Sequence, residues 1–273
     1  MSDCNHNCSS CSSNCSSRQA PQIKPLDDVN ITKIIGVLSG KGGVGKSMAS
    51  ALLAIELARK GYRVGIMDAD ITGPSIPKMF GANVRLAGDE KGIIPYETPL
   101  GIRTVSINMM LDSEDTPVIW RGPVLGSIIR QFYTEVHWGD LDYLVIDMPP
   151  GTGDVALSVV QDIPIDGFLM VTSPSKLVSM VVSKAINFSD VAKTPVLGLI
   201  ENMAYVKCDS CGHDIVIYRN DDTQNVADKF GLDVLAKLPI DPLLANLADE
   251  GFIEDYEGNY LHKAVVQIEK LDD

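Results

Sequence analysis

From about Thr32 onward, short apolar runs alternate with stretches of helical spacing. Ile34–Leu38, Arg63–Met67, Ile102–Ile107, Tyr143–Ile146, Phe168–Thr172, Val196–Ile200 and Val234–Leu238 are short runs rich in apolar side chains, most of them nearly continuous. Such runs predict strands buried on both faces. Apolar residues at helical spacing predict helices over Ser47–Lys60, Gly122–Val136, Val155–Gln161, Lys176–Val191, Thr223–Phe230, Leu243–Asp249 and Asn259–Leu271. Strands alternating with helices predict an α/β fold, a mostly parallel sheet with helices on both faces. A ligand is then expected at the carboxyl ends of the strands. The final helix places Leu261, Ala264, Val265, Ile268 and Leu271 on one face. That face suits docking on the core better than a membrane, because Lys263 and Lys270 are its few cations beside Glu269, Asp272 and Asp273. Residues 1–28 break the pattern. They are rich in Ser, Asn and Cys, poor in apolar residues, and too polar to bury a core of their own. The expected organisation is a Cys-rich tail over 1–28 and one folded domain over 29–273.

Between the first strand and the first helix lies Gly40-Lys41-Gly42-Gly43-Val44-Gly45-Lys46-Ser47, with Met48 next. It matches the phosphate-binding loop G-x-x-x-x-G-K-[ST] at every defined position, in the strand–loop–helix context that the loop requires. Glycines let backbone N–H groups close on phosphate oxygens, and the helix N-terminus adds its positive dipole end. Lys46 is expected on the β/γ-phosphates and the Ser47 hydroxyl on Mg²⁺. The expected ligand is therefore ATP with Mg²⁺, held by Gly40 to Met48.

Aspartates end two of the other strands. Asp147 closes the Tyr143–Ile146 run, where a carboxylate holds Mg²⁺ directly or through water. It opens Asp147-Met148-Pro149-Pro150-Gly151-Thr152-Gly153-Asp154, a stiff turn suited to sensing a γ-phosphate. Asp68 and Asp70 follow the Arg63–Met67 strand. Asp70 is expected to orient the attacking water, and Asp68 to serve the Mg²⁺ shell or the structure. Phosphoryl transfer asks mainly for positioning and charge stabilisation, so neither needs to be a strong base.

Composition narrows the partners. The 273 residues carry a formal net charge of −13. That argues against a non-specific nucleic-acid binder and against a basic membrane surface. No run approaches the roughly 18 apolar residues of a membrane-spanning helix, and no secretory signal pattern opens the chain. A cytoplasmic protein is expected. Six cysteines fall in two groups, Cys4, Cys8, Cys11 and Cys15 at one end and Cys208 and Cys211 far along the chain. In a reducing compartment such grouping reads as metal or cluster ligation rather than disulfides. Cys208-Asp209-Ser210-Cys211-Gly212 is a tight turn whose N–H groups can point at sulfur. A [4Fe–4S] cluster takes four thiolates and a structural zinc four ligands, whereas this turn offers two. A symmetric dimer completes the set with one pair from each subunit. Zinc, aided by His213, and unligated thiols stay as alternatives. The spacing of Cys4, Cys8, Cys11 and Cys15 is compact enough to wrap a second cluster, with zinc or an unmetallated tail as the other readings.

Lys41 resembles the early lysine of deviant Walker ATPases, which reaches across a dimer to the partner's nucleotide. The wider set resembles the Mrp/NBP35 family of P-loop ATPases. It comprises Gly40–Ser47, Asp68-Ala69-Asp70-Ile71-Thr72-Gly73-Pro74-Ser75, Trp120-Arg121-Gly122-Pro123, Asp147–Asp154, Glu201-Asn202-Met203 and Cys208-x-x-Cys211. The resemblance implies a homodimer that binds and hydrolyses ATP and passes a [4Fe–4S] cluster to apo iron–sulfur proteins. It implies that Lys41 acts in trans and that Asn202 contacts the adenine base. On the residues alone Asn202 is equally a polar strand end. Two other readings share parts of the pattern. One is a partition or septum-placing ATPase of the MinD/ParA kind with a structural zinc. The other is a reductase like the nitrogenase iron protein, which takes its cluster ligands from two distant single cysteines.

Overall fold

The computed structural model describes residues 23–70, 73, 75–90, 92–110, 122–175, 178–217 and 222–271. Cys4, Cys8, Cys11 and Cys15 lie outside them, as do Ile71, Thr72, Pro74, Trp120 and Arg121. In chain order the elements are β1 (Asn30–Ser39), α1 (Lys46–Arg59), β2 (Val64–Asp68), α2 (Ile76–Met79), β3 (Gly88–Asp89), β4 (Gly92–Ile93), β5 (Tyr96–Glu97) and β6 (Arg103–Ser106). Then come α3 (Gly122–Thr134), β7 (Asp140–Asp147), α4 (Asp154–Asp162), β8 (Gly167–Thr172), α5 (Val178–Ala192), β9 (Val196–Lys207) and β10 (Asp214–Ile215). The chain closes with α6 (Asp222–Phe230), β11 (Val234–Pro239), α7 (Pro242–Glu250) and α8 (His262–Glu269).

The main sheet runs β11-β9-β8-β1-β7-β2-β6-β5, with β10 paired to the far end of β9. Pairing is parallel except for the β5–β6 and β9–β10 pairs. Alternation along the central strands sorts the core into two layers. Ile35 and Val37 of β1, with Tyr143 and Val145 of β7, pack beneath α1, α7 and α8. Ile34 and Leu38 of β1, with Leu144 and Ile146 of β7, pack beneath α3 and α4. Helix α5 joins α6 over Met170 and Leu199. Leu52, Leu53 and Leu57 of α1 are fully buried, and each contributes about 1.5–3 kcal/mol through its removal from water. The predicted α/β architecture is the observed one.

The differences are local. Helix α8 begins at His262 rather than Asn259, with Leu261 as its N-cap, and the Leu261 N–H is satisfied by Glu56 Oε1 of α1 at 2.8 Å. Burial pushes the Glu56 carboxyl up, and the backbone N–H groups of Leu261 and Tyr260 partly offset this. The apolar face of α8 docks on α1, with Leu261, Ala264 and Ile268 fully buried. Strand β9 runs seven residues past the expected end at Ile200, to Lys207. Glu201, Asn202 and Met203 are therefore mid-strand residues and not a strand end.

Candidate functional site

Strands β1, β2 and β7 end side by side, and their last residues build the site. Parallel register sets Asp68 of β2 opposite Asp147 of β7, and Val37 of β1 also opposite Asp147. The loop that leaves β1 enters α1 at Gly45, whose φ is +79°. That left-handed conformation favours glycine. A β-carbon on Gly45 would also lie 2.0 Å from Asn202 Nδ2, so a larger residue would be strained and would displace the Asn202 amide. Around Gly42 and Gly43 the space is open. The loop is thus closed at its back and open at its front.

Lys46 is buried, with its ammonium 2.8 Å from Asp147 Oδ1 and 3.5 Å from Asp70 Oδ2. Although within ion-pairing range, it makes no aligned hydrogen bond. A buried cation with donors to spare fits a phosphate group as its remaining partner. Ser47 Oγ donates to Asp147 Oδ2 at 2.6 Å. The two residues expected to share Mg²⁺ are thus already in contact, and a hydroxyl beside a carboxylate is a hard oxygen pair suited to that ion. Asp68 is fully buried. It accepts from the N–H groups of Asp70 (3.1 Å) and Ile76 (3.3 Å) and from Ser106 Oγ (3.3 Å). Burial, and then the neighbouring Asp147 carboxylate, hold its carboxyl well above the usual range, against the pull of Lys46. Lys41 stands exposed on the outer shoulder of the loop.

Sequence reasoning missed two members of this neighbourhood, Ser50 and Val181, and gave no role to a third, Glu201. Ser50 is fully buried and donates to Asp147 Oδ1 at 2.7 Å. It sits one helical turn beyond Lys46 and Ser47, and that spacing was the available signal. Val181 of α5 packs so closely on Gly40 that a β-carbon there would lie 2.3 Å away. Glu201 is buried, accepts from Thr223 Oγ1 at 2.5 Å and pairs with Lys237 at 3.3 Å.

Asn202 reaches the loop from β9. Its Nδ2 donates to the Val44 carbonyl at 2.9 Å, and its Oδ1 accepts from Met203 N at 2.9 Å. Met203 has φ +59°, a conformation that costs a non-glycine residue about 1–3 kcal/mol. The cause is a bulge. Lys237 of β11 aligns with Glu201 and Pro239 with Tyr205, so Asn202, Met203 and Ala204 together face Leu238 alone.

Past the bulge, β9 leads to the cysteine turn. Cys208 N donates to His213 O at 2.9 Å, and Gly212 N donates to Cys208 O at 2.8 Å. Gly212 takes φ +70° to close the turn. The Lys207–Asp214 ion pair at 2.9 Å brackets its base. Cys211 is exposed and Cys208 half-buried. The backbone N–H of Ser210, then that of Cys211, and the Cys211 thiol hold the Cys208 thiol below its ordinary value. A thiol so held forms thiolate more readily, the form that binds metal. Among the described residues no group of three or more His, Cys, Asp or Glu side chains could hold a metal ion within the chain. Among the described residues the turn thus offers two free thiols with no third candidate ligand beside them.

Comparison with known proteins agrees with this geometry. A family model described as the NUBPL iron-transfer P-loop NTPase matches residues 30–270. The iron-sulfur cluster carrier protein of Saccharolobus solfataricus is 48% identical over 224 residues, covering 81% of this chain and 76% of its own. A cytosolic Fe-S cluster assembly factor NUBP2 homolog of Dictyostelium discoideum is 42% identical, covering 79% of this chain and 83% of its own. The solved nucleotide-binding protein of Archaeoglobus fulgidus in complex with ADP superposes with a TM-score of 0.76 at 42% identity, over 84% of this chain and 90% of its own. The phosphate loop, the strand-end aspartates and these matches lead to one assignment: the chain belongs to the NUBPL iron-transfer family of P-loop NTPases.

Proposed function

We propose that this protein is an iron–sulfur cluster carrier that binds and hydrolyses ATP, holds a [4Fe–4S] cluster and passes it to apo-proteins. The observation that carries the reading is the pairing of two sites on one chain. One is a complete phosphate loop with a buried, under-bonded lysine; the other is an exposed two-thiolate turn.

At the first site, the N–H groups of the loop and Lys46 bind the β- and γ-phosphates of ATP. Ser47 and Asp147 hold Mg²⁺, with Asp68 behind them. When bound, the ion neutralises charge on the β- and γ-phosphate oxygens. Asp70, beside the Lys46 ammonium, orients the attacking water. Gly40 to Met48 enclose the phosphates, and Asn202 is the base contact that the family resemblance implies. Lys41 is exposed on the loop, and by the family resemblance we assign it to stabilising the transition state in a partner's site.

At the second site, Cys208 and Cys211 supply half of the ligands of a cubane cluster, and a second copy of the chain supplies the rest. The cluster is cargo, exposed on a turn from which it can leave. Cys4, Cys8, Cys11 and Cys15 form a second ligand set in this reading. The absence of a second cysteine pair in the folded domain disfavours a zinc site closed within one chain. It likewise disfavours a MinD/ParA-like ATPase organised around such a zinc. A nitrogenase-type reductase is disfavoured because residues 147–154 contain no cysteine. No described helix is long and apolar enough to cross a membrane. We place the protein in the cytoplasm, in line with the cytosolic Dictyostelium relative.

The test is transfer. Protein reconstituted anaerobically with iron and sulfide is mixed with an apo [4Fe–4S] enzyme such as aconitase, and regained enzyme activity is followed. The reading predicts transfer that outlasts a chelator of free iron and whose rate changes with ATP. Transfer no faster than from iron and sulfide alone would end it.

A further inference from the structure

The two sites are joined by one strand. Val44 O, inside the phosphate loop, is held by Asn202 of β9, and Cys208 begins one residue past the end of the same strand. Met203 and Cys208 are five residues apart, about 16 Å of extended chain.

We propose that the Asn202–Met203 bulge is a joint that makes the cysteine turn respond to the state of the phosphate loop. The inference deepens the functional reading above and rests on it. Four observations support it. First, the Val44 carbonyl and the Gly45 N–H belong to one rigid peptide plane. Turning that N–H toward a phosphate therefore swings the oxygen that Asn202 holds. Second, both ends of the Asn202 amide are engaged. Nδ2 bonds the loop and Oδ1 bonds the Met203 N–H, so a pull on one reaches the other. Third, Met203 sits in the left-handed region, which is strained for its side chain, with the ordinary extended region as its alternative. An element with two discrete backbone states converts a small displacement into a change of direction. Fourth, the near side of the bulge is clamped. Glu201 is tied to Thr223 of α6 and to Lys237 of β11. The far side is looser, with Tyr205 O accepting from Ile240 N and two residues paired to the short β10. Movement at the bulge therefore passes outward to the exposed turn rather than back into the sheet.

Asn202 and Met203 are thus positioning residues for the turn. The experiment uses the full chain without metal, so its outcome does not depend on cluster binding. Iodoacetamide labelling of Cys208 and Cys211 is followed by peptide mass spectrometry without nucleotide, with saturating ADP, and with a saturating non-hydrolysable ATP analogue. In the wild type the labelling rate is expected to differ by at least about 5-fold between two of these states, the low end of ordinary site-to-site coupling. Met203→Gly occupies the left-handed region without strain and folds, but gives the joint free play. Asn202→Asp removes the donor to Val44 O; because Asn202 is also the assigned base contact, saturation of this variant with each nucleotide is verified by titration before labelling. Each variant is expected to bring the ratio below about twofold, within the noise of a decoupled turn. A wild-type ratio retained in either variant overturns the joint alone. Equal rates in all states of the wild type overturn the joint as well, and leave the carrier reading to be judged by the transfer assay.

Discussion

Replacing Cys208 and Cys211 together by alanine is expected to abolish delivery of the subunit-bridging cluster while nucleotide affinity stays within a factor of about two, because binding at distant sites is little affected by exposed surface changes. The physical case rests on where the two side chains lie. Cys211 is exposed and Cys208 half-buried, so their removal leaves no cavity in the core. The turn is closed by backbone bonds from Cys208 N to His213 O and from Gly212 N to Cys208 O, which alanine keeps. Gly212 still supplies the positive φ. What is lost is the pair of sulfurs, and no other group of His, Cys, Asp or Glu among the described residues could replace them. Isothermal titration with an ATP analogue, beside the transfer assay, separates the two effects. Loss of nucleotide binding together with transfer would show that the turn is structural. Retention of full transfer would place the cargo elsewhere.

Lys41→Ala is expected to slow ATP hydrolysis by about 10³-fold or more, the range that a trans-acting cation contributes to phosphoryl transfer. Nucleotide affinity should change far less. Lys46 and Lys41 differ in surroundings although five residues apart in one loop. Lys46 is buried against Asp70 and Asp147, and its loss would remove binding outright. Lys41 is exposed. Mixing decides whether it acts across the dimer. A Lys41→Ala chain has an intact phosphate loop, and a Lys46→Ala chain has an intact Lys41. Neither is active alone. An excess of the Lys46→Ala chain is expected to restore hydrolysis at the Lys41→Ala sites. If mixing restores nothing, Lys41 works on its own chain or not at all.

Much of this site was legible because its parts are local. Residues 34–47 read as strand, loop and helix start from an apolar run and a glycine pattern, and β1 and α1 sit there. Asp68 and Asp147 were placed by ending apolar runs, and parallel register brings them together. Contacts across long sequence distances left no local mark. Asn202 lies 158 residues from Val44, and nothing near either residue announces the bond. The outer half of β9 was missed because Glu201 to Lys207 mixes polar and apolar residues without a clean period. Its bulge at Asn202–Ala204 breaks the alternation by which strands are recognised. The two-residue strands β3, β4, β5 and β10 are too short to carry any period. The contact that satisfies the N-terminal end of α8, from Leu261 N to Glu56 on another helix, likewise spans 205 residues and left no local mark.

The most direct measurement is the metal content and Mössbauer spectrum of the full chain after anaerobic reconstitution, run beside the Cys208→Ala/Cys211→Ala variant. The account predicts a [4Fe–4S] signal in the wild type that falls by one cluster per dimer in the variant. Zinc in place of iron, or an iron signal that the variant leaves unchanged, would contradict it.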